Sequence, residues 1–398
     1  MNPLRKIDRR TRDFILFIFD LIKFIPLKLV DSTVSSTVSD QFTKEILLIK
    51  LDEIGDYFLF RNFLAYIKQS ELFKDFKVTI CGNSVWKNLA ESIDVNFIDE
   101  FIWLNKGDFS TNLLYRYKFL KMISSRNPII SINCSYSRSF YLDDTVIYSI
   151  KSKRKIGFKT DLSNSYKWQI RKSDYYYNEL INSEKERFDF YKNKILFTKV
   201  LQMHLPIERP EIKLDSIQSN FNIDMNYVMF FIGGRLNYKR WKLYNFVKLG
   251  EYLIQNYKLK IALIGSISEQ KINEKFMSNI KMQEQVINLT GKTTFVELLK
   301  LLKDTKLLIS NDTGIVHAAA SLNVPTVVLA NGTHFGRFLP YPENIKNDVN
   351  VIFPPNINDI LATKSKSKKD LKYRSINDIN SINYKSVSEV IDHVLHNA

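Results

Sequence analysis

From residue 44 onward the chain alternates short, continuous apolar runs with amphipathic stretches. Ile46-Leu47-Leu48-Ile49 is the first run; Lys77-Val78-Thr79-Ile80-Cys81 and Pro128-Ile129-Ile130-Ser131-Ile132 follow. Between the first two, Phe58, Phe63, Leu64 and Ile67 recur on one helical face. Wholly apolar strands separated by helices predict a parallel sheet covered on both faces, because a strand wetted on one side would alternate. A second series runs through Tyr227–Ile232, Lys260–Ile264, Leu307–Ser310 and Pro325–Ala330. Its strands stop at Gly233-Gly234, Gly265-Ser266, Asn311-Asp312-Thr313-Gly314 and Asn331-Gly332. Ligands of open α/β sheets sit beyond such carboxyl ends. The pattern predicts an α/β chain of two Rossmann-like parallel-sheet domains facing across a cleft.

Four segments follow from this pattern. An N-terminal arm and linker cover 1–40, with the linker at 31–40. One Rossmann-like domain covers 41–215, and a second covers 216–360. A basic loop and a last helix cover 361–398. Residues 150–215 read as loops and helices closing the first domain.

The arm carries Arg5, Lys6, Arg9, Arg10 and Arg12 ahead of an apolar run from Phe14 to Ile25, broken by Asp20 and Lys23. A spanning helix needs ~20 largely uncharged residues, so this run is too short and too charged. Leu29-Val30-Asp31-Ser32 is a poor signal-peptide cleavage site. Two readings remain: a helix in the headgroup layer of an anionic inner membrane, or a helix packed on the protein's own surface.

Composition narrows the class. With 398 residues, 45% hydrophobic and 25% charged, disordered, collagenous and disulfide-stapled chains are excluded. Cys81 and Cys134, with no C-x-x-C spacing, fit a reducing, cytoplasmic setting and no structural metal. A net charge of +16, with eight Lys or Arg against one Asp between Lys151 and Lys172, favours anionic partners.

Three clusters carry candidate chemistry. Asn311-Asp312-Thr313-Gly314-Ile315-Val316-His317 ends a buried strand and opens a small-residue helix, whose amides could hold a diphosphate. The alternative is an ordinary cap by Asp312 or Thr313, with His317 simply packed. Arg235, Lys239 and Arg240 leave a strand end together and could neutralise a diphosphate leaving group, or form a solvated basic loop. Glu53-Ile54-Gly55-Asp56 offers a turn at Gly55 and a carboxylate, Asp56, that could act as a general base or as a helix cap. Asp-x-Asp, the P-loop pattern and G-x-G-x-x-G are all absent from the sequence.

These pieces, in this order, resemble glycosyltransferase family 9, the ADP-heptose:lipopolysaccharide heptosyltransferases, over roughly residues 44–342. The likeness rests on Ile46 through Asp56, on Lys239-Arg240-Trp241, and on Leu289-Thr290-Gly291-Lys292 through Asn311-Asp312-Thr313-Gly314 to Val324-Pro325-Thr326. The resemblance implies a GT-B fold and inverting, metal-independent transfer with no cofactor. It implies Asp56 as base, with Gly55 supporting its turn. Lys239, Arg235, Asp312, Thr313, Gly314 and His317 would lie around the donor, and Glu269 would sit on its ribose. The donor implied is ADP-heptose or a related nucleotide sugar. The acceptor would be a lipopolysaccharide or another surface glycan, taken by the acceptor domain at 41–215 while the nucleotide-sugar domain at 216–360 holds the donor. The basic arm, which has no clear counterpart in the family, separately suggests peripheral contact with an anionic inner membrane, and no nucleic acid is expected as partner. The chain departs from the family at Asn331-Gly332-Thr333, where Gly-Pro-Thr is usual, and at Ile315-Val316, where many members have Pro-Met. Two alternatives remain: a GT-B epimerase or hydrolase using the same donor, and a non-catalytic basic module that binds membrane or nucleic acid.

Overall fold

The computed structural model describes residues 9–34, 41–214, 226–345, 347–357 and 377–397. Strands β1 (Thr43–Lys50), β2 (Lys77–Asn83), β3 (Glu100–Leu104), β4 (Pro128–Asn133), β5 (Arg154–Phe158) and β6 (Glu179–Ile181) form one sheet in the order β3-β2-β1-β4-β5-β6. Strands β7 (Tyr227–Phe231), β8 (Lys260–Leu263), β9 (Val286–Asn288), β10 (Leu308–Asn311), β11 (Thr326–Leu329) and β12 (Val349–Ile352) form another, in the order β12-β11-β10-β7-β8-β9. Every pairing in both sheets is parallel. Each sheet reverses its strand order once, between β1 and β4 and between β7 and β10.

The helices among the described residues, in chain order, are α1 (Arg9–Thr33), α2 (Ile54–Phe58), α3 (Leu64–Gln69), α4 (Lys87–Ile93), α5 (Lys106–Thr111), α6 (Leu113–Ser124) and α7 (Asp143–Ser149). They continue with α8 (Lys167–Asp174), α9 (Asp189–Leu201), α10 (Leu243–Tyr257), α11 (Gln270–Asn279), α12 (Phe295–Asp304), α13 (Gly314–Ser321) and α14 (Tyr384–Asn397). By contacts the described residues divide into two compact units, neither continuous in sequence. One comprises the described residues within 1–52, 67–87 and 95–183; the other comprises those within 53–66, 88–94 and 184–398.

The first unit is built around β1, whose Ile46, Leu47, Leu48 and Ile49 are fully buried. That burial on both faces is why the run is continuously apolar. In the stretch read as loops and helices, two strands complete the sheet. β5 holds few large apolar residues and β6 spans three, so neither stands out by composition. Short strands toward a sheet edge need less apolar surface than central ones. Cys81 and Cys134 are free and buried, and burial pushes both thiols up to about 12.

Helix α1 runs three residues into the expected linker, through Thr33. The cause is Asp31, whose carboxylate receives Arg116 Nε at 2.7 Å and Nη2 at 3.0 Å. Arg116 is fully buried, and its remaining donors reach the Phe109 and Tyr141 carbonyls and Thr145 Oγ1. A buried guanidinium requires such a partner, so the helix continues far enough to supply one. Residues 35–40 and the basic loop at 361–374 lie outside the described residues.

Removing one partner of a buried pair typically costs ~3–5 kcal/mol. Asp31→Ala is expected to lower the free energy of unfolding by about 3 kcal/mol, since Arg116 keeps its carbonyl acceptors. Denaturant titration checks this, and an unchanged midpoint would remove the pair from the account of how α1 is held.

Candidate functional site

β7 and β10 are neighbours at the order reversal of the second sheet, so the loops leaving their carboxyl ends share one crevice. Asn311, at the end of β10, ties those loops together. Its Nδ2 donates to the carbonyls of Ile232 (3.0 Å) and Gly233 (2.9 Å), and its Oδ1 accepts from the Trp241 amide at 3.1 Å. Trp241 is buried and donates its indole N–H to the Ile382 carbonyl at 3.1 Å. The basic loop 233–240 is therefore pinned at both ends, and its cations project from a fixed backbone.

Helix α13 begins at Gly314, with Thr313 in the extended N-cap position but making no side-chain cap. Asp312 faces elsewhere: its Oδ2 lies 2.6 Å from Lys239 Nζ, both side chains mostly buried. The amides opening α13 thus lack the threonine cap that the local sequence offers, and helix N-terminal amides attract anions.

Helix α2 lies directly on this N-terminus. A Cβ on Gly314 would stand 2.7 Å from Ile54 Cγ2 and 3.1 Å from the Gly55 nitrogen. A Cβ on Gly55 would stand 3.0 Å from His317 Cδ2 and 3.3 Å from Gly314 Cα. Glycine at both positions lets the backbones meet, which carries Asp56, in the first turn of α2, to the mouth of α13.

The resulting cavity, about 290 Å³, is lined by Glu53, Ile54, Gly55, Asp56, Gly233, Gly234, Arg235, Leu236, Lys239, Asp312, Thr313, Gly314, His317 and Phe338. All belong to the second unit. Arg235 reaches Glu53 at 3.3 Å, but both are exposed, and such pairs contribute at most ~1 kcal/mol. His317 is buried, with Nδ1 2.9 Å from Tyr341 Oη. Burial lowers its pKa to about 4, outweighing the opposing pull of Asp312 and Asp189, so the ring is neutral at pH 7. The positive charge of the cavity comes from Lys239 and Arg235.

Of the candidate residues singled out in the sequence, two stand apart from the lining: Arg240, whose Nε donates to the Gly234 carbonyl at 2.7 Å, and Glu269. The Glu269 side chain fills the space under Gly233, where a Cβ would collide with Glu269 Cγ. Its Oε2 accepts from the Ser266 amide (3.0 Å) and hydroxyl (2.6 Å). Sequence reasoning did not single out Phe338 or Tyr341. Their segment is anchored by Arg337, whose Nε and Nη2 each lie 3.0 Å from the Asp189 carboxylate, with Lys192 Nζ 2.9 Å from the same group. Burial alone would raise the Asp189 pKa, but Arg337 and Lys192 hold it down to about 2. Nothing local in the sequence marks that pairing, which joins residues 148 positions apart. Among the described residues, no group of three or more His, Cys, Asp or Glu is arranged to hold a metal ion.

Residues 145–358 match the family model for glycosyltransferase family 9 (heptosyltransferase). A stretch of 98 residues is 35% identical to lipooligosaccharide heptosyltransferase 2 of Haemophilus influenzae, covering 24% of this chain and 28% of that protein. The chain thus aligns with little more than a quarter of that curated relative's length. A family 9 glycosyl transferase from Veillonella parvula superposes on 90% of this chain and 100% of its own, with a TM-score of 0.68 at 16% identity. An Escherichia coli heptosyltransferase solved with ADP-2-deoxy-2-fluoro heptose gives 0.65 at 17% identity, over 89% of this chain and 100% of its own. The fold is accordingly GT-B.

Overpacking a tight contact costs ~1–3 kcal/mol, so Gly314→Ala should destabilise the protein by about that much in denaturant unfolding. The second expectation concerns pH. His317 has a folded pKa below its unfolded one, so the unfolded state binds more protons between pH ~6.5 and ~4. Its contribution is complete above pH ~6.5 and is lost as pH falls toward ~4, by up to ~3 kcal/mol. His317→Asn should flatten stability against pH in that window; an unchanged slope would show that other groups set it.

Proposed function

The chain belongs to glycosyltransferase family 9, and from that premise we propose that it is an inverting, metal-independent glycosyltransferase. It moves a heptose or related sugar from an ADP-linked donor to a lipopolysaccharide or similar surface glycan. The observation that carries this reading is the juxtaposition of the Asp56 carboxylate with the opening amides of α13 and the Lys239 ammonium in one cavity.

In this mechanism Asp56 takes the proton of an acceptor hydroxyl as its oxygen attacks the anomeric carbon of the donor sugar. The carbon–oxygen bond to the diphosphate breaks on the opposite face, which inverts the centre. The departing ADP carries the electron pair away as negative charge. The amides of Thr313 and Gly314 and the ammonium of Lys239 receive that charge, acting where it develops rather than on the neutral sugar. Asp312 holds Lys239 in place at 2.6 Å, so the ammonium is presented without reorganising. Arg235 adds a second, more exposed cation. His317, being neutral, shapes the cavity and can share a hydrogen bond without adding charge. Glu269 supports the floor of the loop at Gly233, within reach of a donor ribose lying along that loop.

Two measurements test this. ADP should raise the melting temperature without magnesium; at 100 times its Kd a ligand adds ~2.7 kcal/mol. Asp56→Asn should cut kcat by roughly 10²–10⁴-fold while keeping the ADP shift. Full turnover in that variant would remove Asp56 from the chemistry. Stabilisation by UDP or GDP sugars in place of ADP would keep the fold and change the donor.

A further inference from the structure

Helix α1 is seated by one face and bare on the other. Inward, Phe24 stacks on Phe140 at 6.2 Å and meets Trp168 edge-on at 5.8 Å, Leu27 is buried, and Asp31 holds Arg116. Outward stand Ile18, Ile22, Ile25 and Leu29, spaced by four, three and four residues, which on a helix is a single stripe. They are 38%, 61%, 58% and 64% exposed. Isolated exposed aliphatics are ordinary, but a contiguous stripe marks a contact surface.

Cations lie on α1 and on the neighbouring α8. On α1, Lys28 lies 4.3 Å from the Tyr148 ring and Lys23 lies 5.9 Å from the Tyr141 ring. From α8, Lys172 approaches Phe24 at 5.1 Å, and Lys167 and Arg171 are exposed on the same short helix. In sequence, Arg5, Lys6, Arg9, Arg10 and Arg12 precede the stripe. Aliphatic groups flanked by long basic side chains and an exposed tyrosine match the boundary between lipid headgroups and acyl chains.

We propose that this face of the first unit seats on an anionic bilayer. The four aliphatics enter the headgroup–acyl boundary, and the lysines meet lipid phosphates. The inward face stays docked on Phe140, Trp168 and Arg116, so the helix lies in the membrane plane rather than crossing it. Among the described residues, no helix is long and apolar enough to cross a membrane. A second copy of the chain is the poorer occupant. At +16 two copies repel each other, and four partly exposed side chains fall far short of the ~800 Å² per partner of a stable interface. This inference does not use the catalytic reading.

The test is sedimentation of the full-length protein with phosphatidylethanolamine–phosphatidylglycerol vesicles and, separately, with phosphatidylcholine vesicles. Wild type should pellet with the first, weakly with the second, and less at high salt. Ile22→Gln/Ile25→Gln/Leu29→Gln should weaken anionic-vesicle binding by roughly 100-fold or more. Its melting temperature should hold, because these side chains face solvent. Deleting α1 is the poorer variant, since it strips Phe140 and leaves Arg116 buried without its carboxylate. Equal pelleting of triple variant and wild type overturns the proposal, as does wild type ignoring both vesicles. A wild-type dimer that the triple variant abolishes would instead make the stripe an interface between copies. Vesicle binding that follows the stripe while no nucleotide or nucleotide sugar stabilises either protein would sink the transferase reading and leave this one standing.

Discussion

Two glycines facing each other, Gly55 on α2 and Gly314 on α13, set the distance on which the candidate site depends. The approach is backbone to backbone, with no room for a Cβ at Gly314 and a tight fit for one at Gly55. Were it wider by one methyl group, Asp56 would move away from the amides that open α13. The geometry of the candidate site is thus a by-product of packing. A helix of five residues has little stability of its own and takes its place from what it leans on.

Around that contact the loops are held by buried polar groups rather than by apolar fill. Asn311 uses its amide nitrogen and its oxygen to fix the two strand ends that border the cavity. Asp189 gathers Arg337 and Lys192 behind the segment that delivers Phe338 and Tyr341. Such ties add little net stability, yet leaving any of them half-satisfied is costly, which makes them suited to fixing one arrangement. The departure at Asn331-Gly332-Thr333 falls just before the Arg337 anchor. The Asn331 side-chain oxygen accepts from the Thr333 amide at 3.1 Å, so the segment supplies its own turn where the family usually has proline.

Much of this was legible along the chain. Continuous apolar runs gave the central strands of both sheets, since burial on two faces leaves no room for alternation. The turns after β1, β7 and β10 gave most of the residues that line the cavity, because strand ends are where a doubly wound sheet meets ligand. The β5 and β6 strands escaped notice, as short runs near a sheet edge carry a weak apolar signal. Asp31 read as linker because its partner, Arg116, lies 85 residues away.

By itself, the order of apolar and polar residues determined the α/β class, the placing of eight-residue β1 and its fellow central strands, and the small-residue opening of α13. Those are local or periodic facts, fixed by which side chains can be buried. Only the tertiary structure decided that Thr313 leaves α13 uncapped, that Asp312 turns to Lys239, and that the segment beginning at Glu53 joins the second unit. Each of these is a choice between partners distant in sequence. The sequence offers every partner at once, and packing selects among them.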